Sequence, residues 1–176
     1  RRRKQSSIYL GMELVRNGDA DAFVSLGNTG AILALALVVL GKLPGVERPA
    51  MGALIALPGG PKMLLDVGAN AESRSSHLVQ RAHLGTAYMR TVVGIDDPGV
   101  ALLNIGEEET KGSPLTIETH RALGKTSLRF LGNVEGGGVT LGDADVIVTD
   151  GFTGNVILKA MEGTVELMFS EFRAGS

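Results

Sequence analysis

The pattern in this sequence that most directly suggests chemistry is a Gly-x-Thr-Gly turn, which occurs at residues 27–30 and again at residues 151–154. Both turns stand between an apolar run and a helical pattern, so each is predicted to open a helix. The free N–H groups and the positive dipole end of a helix start attract anions, and a threonine hydroxyl adds a further hydrogen bond. The pattern predicts two anion-binding turns, with ordinary helix capping by glycine and threonine as the alternative.

The two turns belong to an internal repeat. Residues 18–36 and 142–160 are identical at nine of nineteen aligned positions, and each copy is predicted to form a strand, the turn and a helix. The first copy places Asn28, Thr29 and Gly30 at its helix start, and the second places Thr153 and Asn155 there. We therefore predict related roles for the two turns.

Asparagine side chains follow several of the predicted strands, close to glycines. In open parallel sheets the carboxyl ends of the strands line the ligand crevice, and an Asn amide donates and accepts hydrogen bonds without carrying charge. Asn is also a common turn residue, which is the alternative at each position taken alone. Together with the turn residues, the candidate substrate-binding set is Asn28, Thr29, Gly30, Asn70, Asn104, Asn133, Thr153 and Asn155.

Three ionisable residues are candidates for catalysis. Asp66 ends an apolar run, His77 follows the glycine-containing loop at residues 68–70, and Lys159 stands among apolar residues early in the last predicted helix. An ionisable group that is partly buried beside a binding crevice often has a shifted pKa and a chemical role. Helix capping for Asp66, and an ordinary helix position for His77 and Lys159, are the alternatives.

Composition and missing motifs exclude several classes of site. The chain has no cysteine, so it has neither disulfides nor thiolate metal sites, and a reducing, cytoplasmic location is expected. It has no Gly-x-Gly-x-x-Gly motif for a dinucleotide, and its three histidines lack metal-ligand spacing. We expect neither a cofactor nor a metal. The net charge of −2 argues against nucleic acid as a partner.

The elements that must position these residues alternate between strands and helices. Strands are predicted at residues 22–26, 50–57, 62–67, 100–105, 128–131 and 146–149. Helices are predicted between Ser6 and Gly18 with Ser6 or Ser7 as the cap, at residues 30–41 as a buried helix, at 76–93, at 114–123 with Ser113 as the cap and Pro114 in the first turn, and at 154–172. The helix at residues 76–93 has an apolar stripe of Leu78, Ala82, Met89 and Val92. Continuous apolar strands are typical of a parallel sheet covered on both faces. The Pro-Gly-Gly-Pro turn at residues 58–61 predicts one antiparallel pair. The length, 176 residues, predicts a single α/β domain.

Six ordered motifs give the sequence a resemblance to a known family. They are FVSLGNTG at residues 23–30, LLDVGAN at 64–70, HLVQ at 77–80, LLNIGEE at 102–108, GNVEG at 132–136 and DGFTGN at 150–155. In this order they resemble the bacterial acyl-carrier-protein:phosphate acyltransferases of phospholipid synthesis. The likeness runs from end to end, and the chain would correspond to the central part of a longer family chain, without its N- and C-terminal segments. The loop at residues 71–76 and the pair Gly137-Gly138 depart from the family pattern.

The resemblance implies a fold, an activity and partners. The fold would be three-layered, with a mostly parallel sheet between helices, like that of the isocitrate and isopropylmalate dehydrogenases. The activity would transfer a fatty acyl group from acyl carrier protein to inorganic phosphate, and the acyl phosphate would feed a membrane glycerol-3-phosphate acyltransferase. The family also implies a cytoplasmic homodimer that associates peripherally with the inner face of the plasma membrane.

Two other functions stay open from the residues alone. One is an enzyme like the phosphate acetyltransferases, which uses acyl-coenzyme A, and the other is a non-catalytic dimerisation or membrane-recruiting module. The apolar helix at residues 31–40 and the stripe Met161, Val165, Met168 and Phe172 can serve either a core or an interface. The basic start of the chain, residues 1–4, can steer the docking of an acidic carrier protein.

Overall fold

The computed structural model describes residues 6–174, which fall into two compact units that divide between Pro49 and Ala50. The basic residues 1–4 lie outside the described residues. This division into compact units does not test the prediction of a single domain, which stays a prediction.

The first unit contains two helices that pack against each other, α1 (Ser7–Asn17) and α2 (Thr29–Val39). Ser6 caps α1 by accepting a hydrogen bond from the Tyr9 N–H, as its position in the sequence predicts. Gly18 ends the helix in the left-handed region, with φ of 81°, where glycine has no Cβ to clash.

Two predictions for this unit are wrong. Residues 22–26 form no strand, and within the described part of the chain no other segment pairs with them; Val24 and Leu26 are exposed. A strand exists only through its ladder with a neighbour, so an apolar run without a partner stays irregular. Helix α2 was expected to be buried, but Val39 is the one buried residue among its eleven residues.

The second unit is built on a five-stranded sheet. Its strands are β1 (Gly52–Ile55), β2 (Lys62–Leu65), β3 (Val100–Leu103), β4 (Phe130–Val134) and β5 (Val146–Val148), in the spatial order β1-β2-β5-β3-β4. All neighbours pair in parallel except β1 and β2, which form an antiparallel hairpin. The mostly parallel α/β sheet and its one antiparallel pair are confirmed.

Helices cover both faces of this sheet. On one face Val100, Leu102 and their neighbours pack against α3 (Ser75–Tyr88) and α4 (Pro114–Leu123). On the other face Ala101 and Leu103 pack against α5 (Gly138–Leu141), with α6 (Gly151–Ala174) beside it. Successive residues of one strand therefore enter two different cores, which is why the strands show no polar alternation.

The helix predicted at residues 76–93 changes its geometry near its end. Helix α3 stops at Tyr88, and a π-helical turn (Met89–Val93) continues to Gly94. Met89 is fully buried whereas Val92 is 63% exposed, although both belong to the predicted apolar stripe. The wider π turn rotates later residues away from the positions that a 3.6-residue period assigns.

The strand predicted at residues 128–131 is shifted to 130–134, so Asn133 lies within β4, and the other strands of the sheet are shorter than predicted. Further differences lie near helix starts. Helix α6 begins at Gly151 rather than at residue 154, and the short α5 was not predicted because the surrounding glycines disfavour helix. Helix α4 begins as predicted, with Ser113 as its cap and Pro114 in its first turn. Among residues 6–174, no helix is both long and apolar enough to cross a membrane.

Candidate active site at the carboxyl edge of the sheet

A cavity of about 370 Å³ opens where β3, β4 and β5 end. Parallel strands end at one edge of a sheet, so the loops that follow them share this edge. Two of the predicted site residues, Asn104 and Thr153, lie in its wall. The complete lining is Leu103, Asn104, Ile105, Gly112, Ser113, Thr116, Gly136, Thr149, Asp150, Thr153 and Ile157.

The second Gly-x-Thr-Gly turn enters this cavity with its donors already engaged. Asp150 caps α6: its Oδ1 accepts the Thr153 N–H at 2.9 Å, and its Oδ2 accepts the Thr153 hydroxyl at 2.7 Å. A carboxylate at a helix start offsets the positive end of the helix dipole. The first turn of α6 therefore presents a negative group to the cavity, where the repeat predicts an anion-binding turn.

The first turn of the repeat differs in charge and in register. Asn28 caps α2 by accepting the Ala31 N–H at 3.0 Å, so α2 begins at Thr29, two aligned positions later than α6. No acidic residue lies in its first turn, and Asn28, Thr29 and Gly30 are all exposed. Leu26 stands where the second copy has Asp150, which explains why the two turns cap differently.

Asp66 lies behind the cavity as the centre of a buried hydrogen-bond cluster. Its carboxylate is fully buried, and its Oδ2 lies 3.3 Å from Nη2 of Arg81. Both oxygens accept further hydrogen bonds of 2.9–3.2 Å, Oδ1 from the N–H groups of Met51, Gly68 and Ala69, and Oδ2 from the N–H and side-chain amide of Asn70. The geometry therefore shows Asp66 holding the loop at residues 66–70.

Sequence reasoning missed Arg81, the partner of Asp66. Its side chain is 1% exposed, and Nη1 donates to the Ser73 hydroxyl at 2.8 Å and to the Thr149 carbonyl at 3.0 Å. Because Thr149 lies in the cavity wall, Arg81 ties helix α3 to the site. One signal was present in the sequence: Arg81 lies three residues after Leu78, on the same face of α3 as this member of the apolar stripe.

Two glycines let the 66–70 loop pack directly on the start of α6. A Cβ on Gly154 would overlap the Asp66 carbonyl oxygen, and one on Gly151 would lie 2.6 Å from the Asn70 carbonyl oxygen. The Gly151 N–H donates to that same carbonyl at 2.9 Å. The structure thus brings Asp66 and Asn70 together with the α6 start, and Asn155 lies against Gly68. The glycines of the second turn serve this close approach.

Asn104 and Asn133, whose substrate-binding roles stay predictions, shape the loop between β3 and α4. The Asn104 amide donates to the Lys111 carbonyl at 2.9 Å, and the Asn133 amide donates to the Glu108 carbonyl at 2.8 Å. The Oδ1 of Asn133 also lies 2.9 Å from Nδ1 of His120. Since this loop supplies Ile105 and Gly112 to the cavity wall, the two asparagines set the shape of the site.

Replacing Asn133 by Leu is expected to loosen that loop while the protein stays folded. The change removes the bond to the Glu108 carbonyl, which leaves a backbone acceptor without its donor and costs about 1–3 kcal/mol. Hydrogen exchange should speed up at the amides of residues 105–112. Glu107→Gln, an exposed change in the same loop, is the control. Unchanged exchange in the Leu variant would contradict the assignment.

His77 and Lys159 do not line the cavity. His77 is 7% exposed at the start of α3, where its Nδ1 accepts the Arg74 N–H at 3.2 Å. Lys159 lies on the exposed side of α6, and its Nζ is 2.6 Å from Oε2 of Glu162. Their catalytic roles stay predictions.

The sequence of this chain matches a known family over nearly its whole length. Residues 1–175 match the family model described as "Fatty acid synthesis protein". Proteins named "Phosphate acyltransferase" are 54% identical in Dehalococcoides mccartyi and 52% identical in Myxococcus xanthus, over 97% and 93% of this chain. The matches cover 50% and 47% of those proteins, so the chain spans about half the length of the curated relatives it matches.

The fold is similar to that of two solved phosphotransacylases. The EutD phosphotransacetylase from Staphylococcus aureus superposes with a TM-score of 0.66 at 23% identity, over 90% of this chain and 56% of its own. A branched-chain phosphotransacylase from Enterococcus faecalis V583 gives a TM-score of 0.60 at 19% identity, over 90% of this chain and 65% of its own. At these identities the likeness concerns the fold alone.

Proposed function

The chain belongs to the fatty acid synthesis protein family, and on that premise we propose that it carries active-site residues of an enzyme that transfers an acyl group to inorganic phosphate. The observation that carries this proposal is its identity of about one half with proteins named "Phosphate acyltransferase" over nearly the whole chain. A cavity at the carboxyl edge of a parallel sheet, where α/β proteins place ligands, supports it.

The reaction needs no nucleophile from the protein. A phosphate oxygen attacks the carbonyl carbon of the thioester and forms the new C–O bond, and the C–S bond breaks. The electron pair leaves with sulfur as a thiolate, which takes up a proton from solvent. Hydrogen-bond donors that stabilise the oxyanion in between contribute about 10²–10³ each in rate. The protein's task is thus to hold two substrates and to supply such donors.

We assign the substrate-binding roles by charge. Asn28, Thr29 and Gly30 hold phosphate, because their helix start is exposed and its cap is neutral. Thr153 positions the acyl carbonyl by contact from the cavity wall, since its hydroxyl proton is donated to Asp150. Asn70 assists from the loop at residues 66–70, and Asn155 assists from α6. Asp66 acts as a positioning residue, since donors surround both of its oxygens.

The finer features implied by the resemblance belong to the same proposal. The acyl donor is acyl carrier protein, the fold is of the isocitrate and isopropylmalate dehydrogenase type, and a membrane glycerol-3-phosphate acyltransferase consumes the product. The homodimer and the peripheral membrane association find support in apolar side chains exposed along α6, which include Val165, Met168 and Phe172. Light scattering and flotation with anionic lipid vesicles test these two features separately.

The deciding experiment follows phosphate-dependent loss of the thioester from acyl carrier protein, with formation of acyl phosphate. The 176-residue chain is compared with a chain extended to the length of its relatives, and acyl-coenzyme A is tried as the other donor. Turnover by either chain supports the proposal, and a preference for the coenzyme A thioester redirects it to the phosphate acetyltransferase type. If both folded chains are inactive with both donors, the enzymatic function is rejected.

Asn28→Ala and Thr29→Val are each expected to raise the KM for phosphate in the active chain. Hydrogen bonds to a charged group contribute about 1.5–3 kcal/mol, so each loss corresponds to about a tenfold to hundredfold increase. The KM for the acyl donor should change little. Ser170→Ala, an exposed change near the end of α6, is the control. A phosphate KM that stays at the control value in both folded variants removes these residues from the site.

A further inference from the structure

The cavity is unsuited to phosphate because of its charge. Among the described residues that line it, none is a lysine, arginine or histidine, and the one carboxylate is that of Asp150. The cations of the neighbouring loop and helix pair outside it, Lys111 with Glu108 at 3.9 Å and Arg121 with Glu109 at 3.5 Å. A phosphate anion placed here would meet a like charge with no compensating cation, which is unfavourable.

The same walls suit a neutral, largely apolar ligand. Leu103, Ile105 and Ile157 supply apolar surface, and the hydroxyls of Ser113 and Thr153 supply polar groups at the helix starts. Apolar walls with a few placed polar groups are typical of small-molecule sites, whose volumes start at about 300 Å³. The cavity, at about 370 Å³, falls within this class.

We propose that this cavity receives the carbonyl-proximal part of the acyl chain, that phosphate binds outside it, and that Gly136 is a determinant of acyl-chain specificity. The inference rests on the proposed function, because the proposed reaction is what identifies the apolar ligand as an acyl chain. The thioester carbonyl lies at the mouth of the cavity, where phosphate reaches it from outside, and the first methylene groups contact Ile105 and Ile157. The depth of the cavity then limits the chain lengths that bind well.

Gly136 offers a way to change this depth without disturbing the fold. It lines the cavity, and a Cβ built on it meets no atom within 4 Å. Its neighbour Gly137 is equally open but does not line the cavity. Neither glycine has a positive φ, so a side chain is tolerated by the backbone at both positions. Gly136→Leu and Gly137→Leu are therefore a matched pair that differ in access to the cavity.

The test measures binding of saturated acyl-N-acetylcysteamine thioesters of increasing chain length, by titration calorimetry without phosphate. Gly136→Leu is expected to weaken binding of the longer thioesters by about tenfold or more, since the added side chain takes up part of the space that their methylene groups fill. Gly137→Leu should bind like the unaltered protein. Ile105→Ala, at an exposed wall position, should weaken all thioesters by about fivefold through lost apolar contact. Inorganic phosphate should not compete.

The outcomes separate this inference from the proposed function. Equal affinities in the two leucine variants, competition by inorganic phosphate, or no thioester binding at all would overturn the cavity assignment. Phosphate-dependent turnover with an unchanged chain-length profile in Gly136→Leu would also overturn it, while the proposed function would stand. The expected binding pattern without any turnover in the extended chain would support the cavity assignment and reject the proposed reaction.

Discussion

Replacing Asp66 by Asn is expected to lower the free energy of unfolding by about 3–5 kcal/mol, because it leaves the buried guanidinium of Arg81 without its counter-ion. Asp66 is fully buried and Arg81 is 1% exposed, so water cannot solvate the guanidinium in place of the lost carboxylate charge. An amide also has one acceptor oxygen in place of two. Whichever way Asn turns, its NH₂ group faces donors that now bind one of the carboxylate oxygens.

Urea denaturation followed by far-UV circular dichroism measures this loss. The control is the exposed pair of Lys159 and Glu162, 65% and 52% accessible, where Glu162→Gln should change stability by less than about 1 kcal/mol. The double variant Asp66→Asn with Arg81→Met should lose clearly less unfolding free energy than the sum of the losses in the two single variants, because both substitutions remove the same interaction. A loss below about 1 kcal/mol for Asp66→Asn would show that the cluster does not hold the loop.

The second large effect is expected from Gly154→Ala. In a helix interior this change ordinarily stabilises by about 1 kcal/mol, since Ala loses less entropy than Gly. At residue 154 the new methyl group would overlap the Asp66 carbonyl oxygen and lie 2.9 Å from Cγ2 of Thr149. Overpacking of this kind costs about 1–3 kcal/mol. We therefore expect a net loss of up to about 2 kcal/mol, with lower turnover because α6 moves away from the loop.

Gly163→Ala is the matched control, since it makes the same change in the same helix. A Cβ on Gly163 meets no atom within 4 Å, so this variant should be stabilised by up to about 1 kcal/mol. Thermal and urea unfolding of both variants give the comparison. The free energy of unfolding is expected to fall for Gly154→Ala and to rise for Gly163→Ala. If both variants gain stability, α6 and the loop pack less closely than described.

Local signals explain most of what was predicted correctly about the fold. Ser6 and Ser113 were recognised as helix caps because capping depends on the next three residues alone. The Pro-Gly-Gly-Pro turn predicted the antiparallel pair of β1 and β2, for which a short connection is sufficient. Residues 22–26 were assigned wrongly because a strand also needs a neighbour, which no local pattern supplies.

The contacts of the polar side chains were predicted less well than the fold, because the partner of a polar side chain is often distant in the sequence. Asn104 follows β3 as predicted whereas Asn133 lies inside β4, and both amides donate to backbone carbonyls of one loop. The repeat predicted related roles for the two turns, but Asp150 caps α6 where the first copy has Leu26, and α2 is capped by Asn28. Arg81 passed unnoticed because a helical pattern does not reveal which buried carboxylate a cation meets.

The sequence by itself determined the class of the fold, the bounds of α1 and α4, and the family, since apolar periodicity, caps and ordered motifs are all patterns of neighbouring residues. Tertiary structure alone decided which distant groups meet: Asp66 with Arg81, and the 66–70 loop with the glycines of α6. Those contacts depend on distances between residues far apart in the chain, and packing of the sheet and its helices sets those distances.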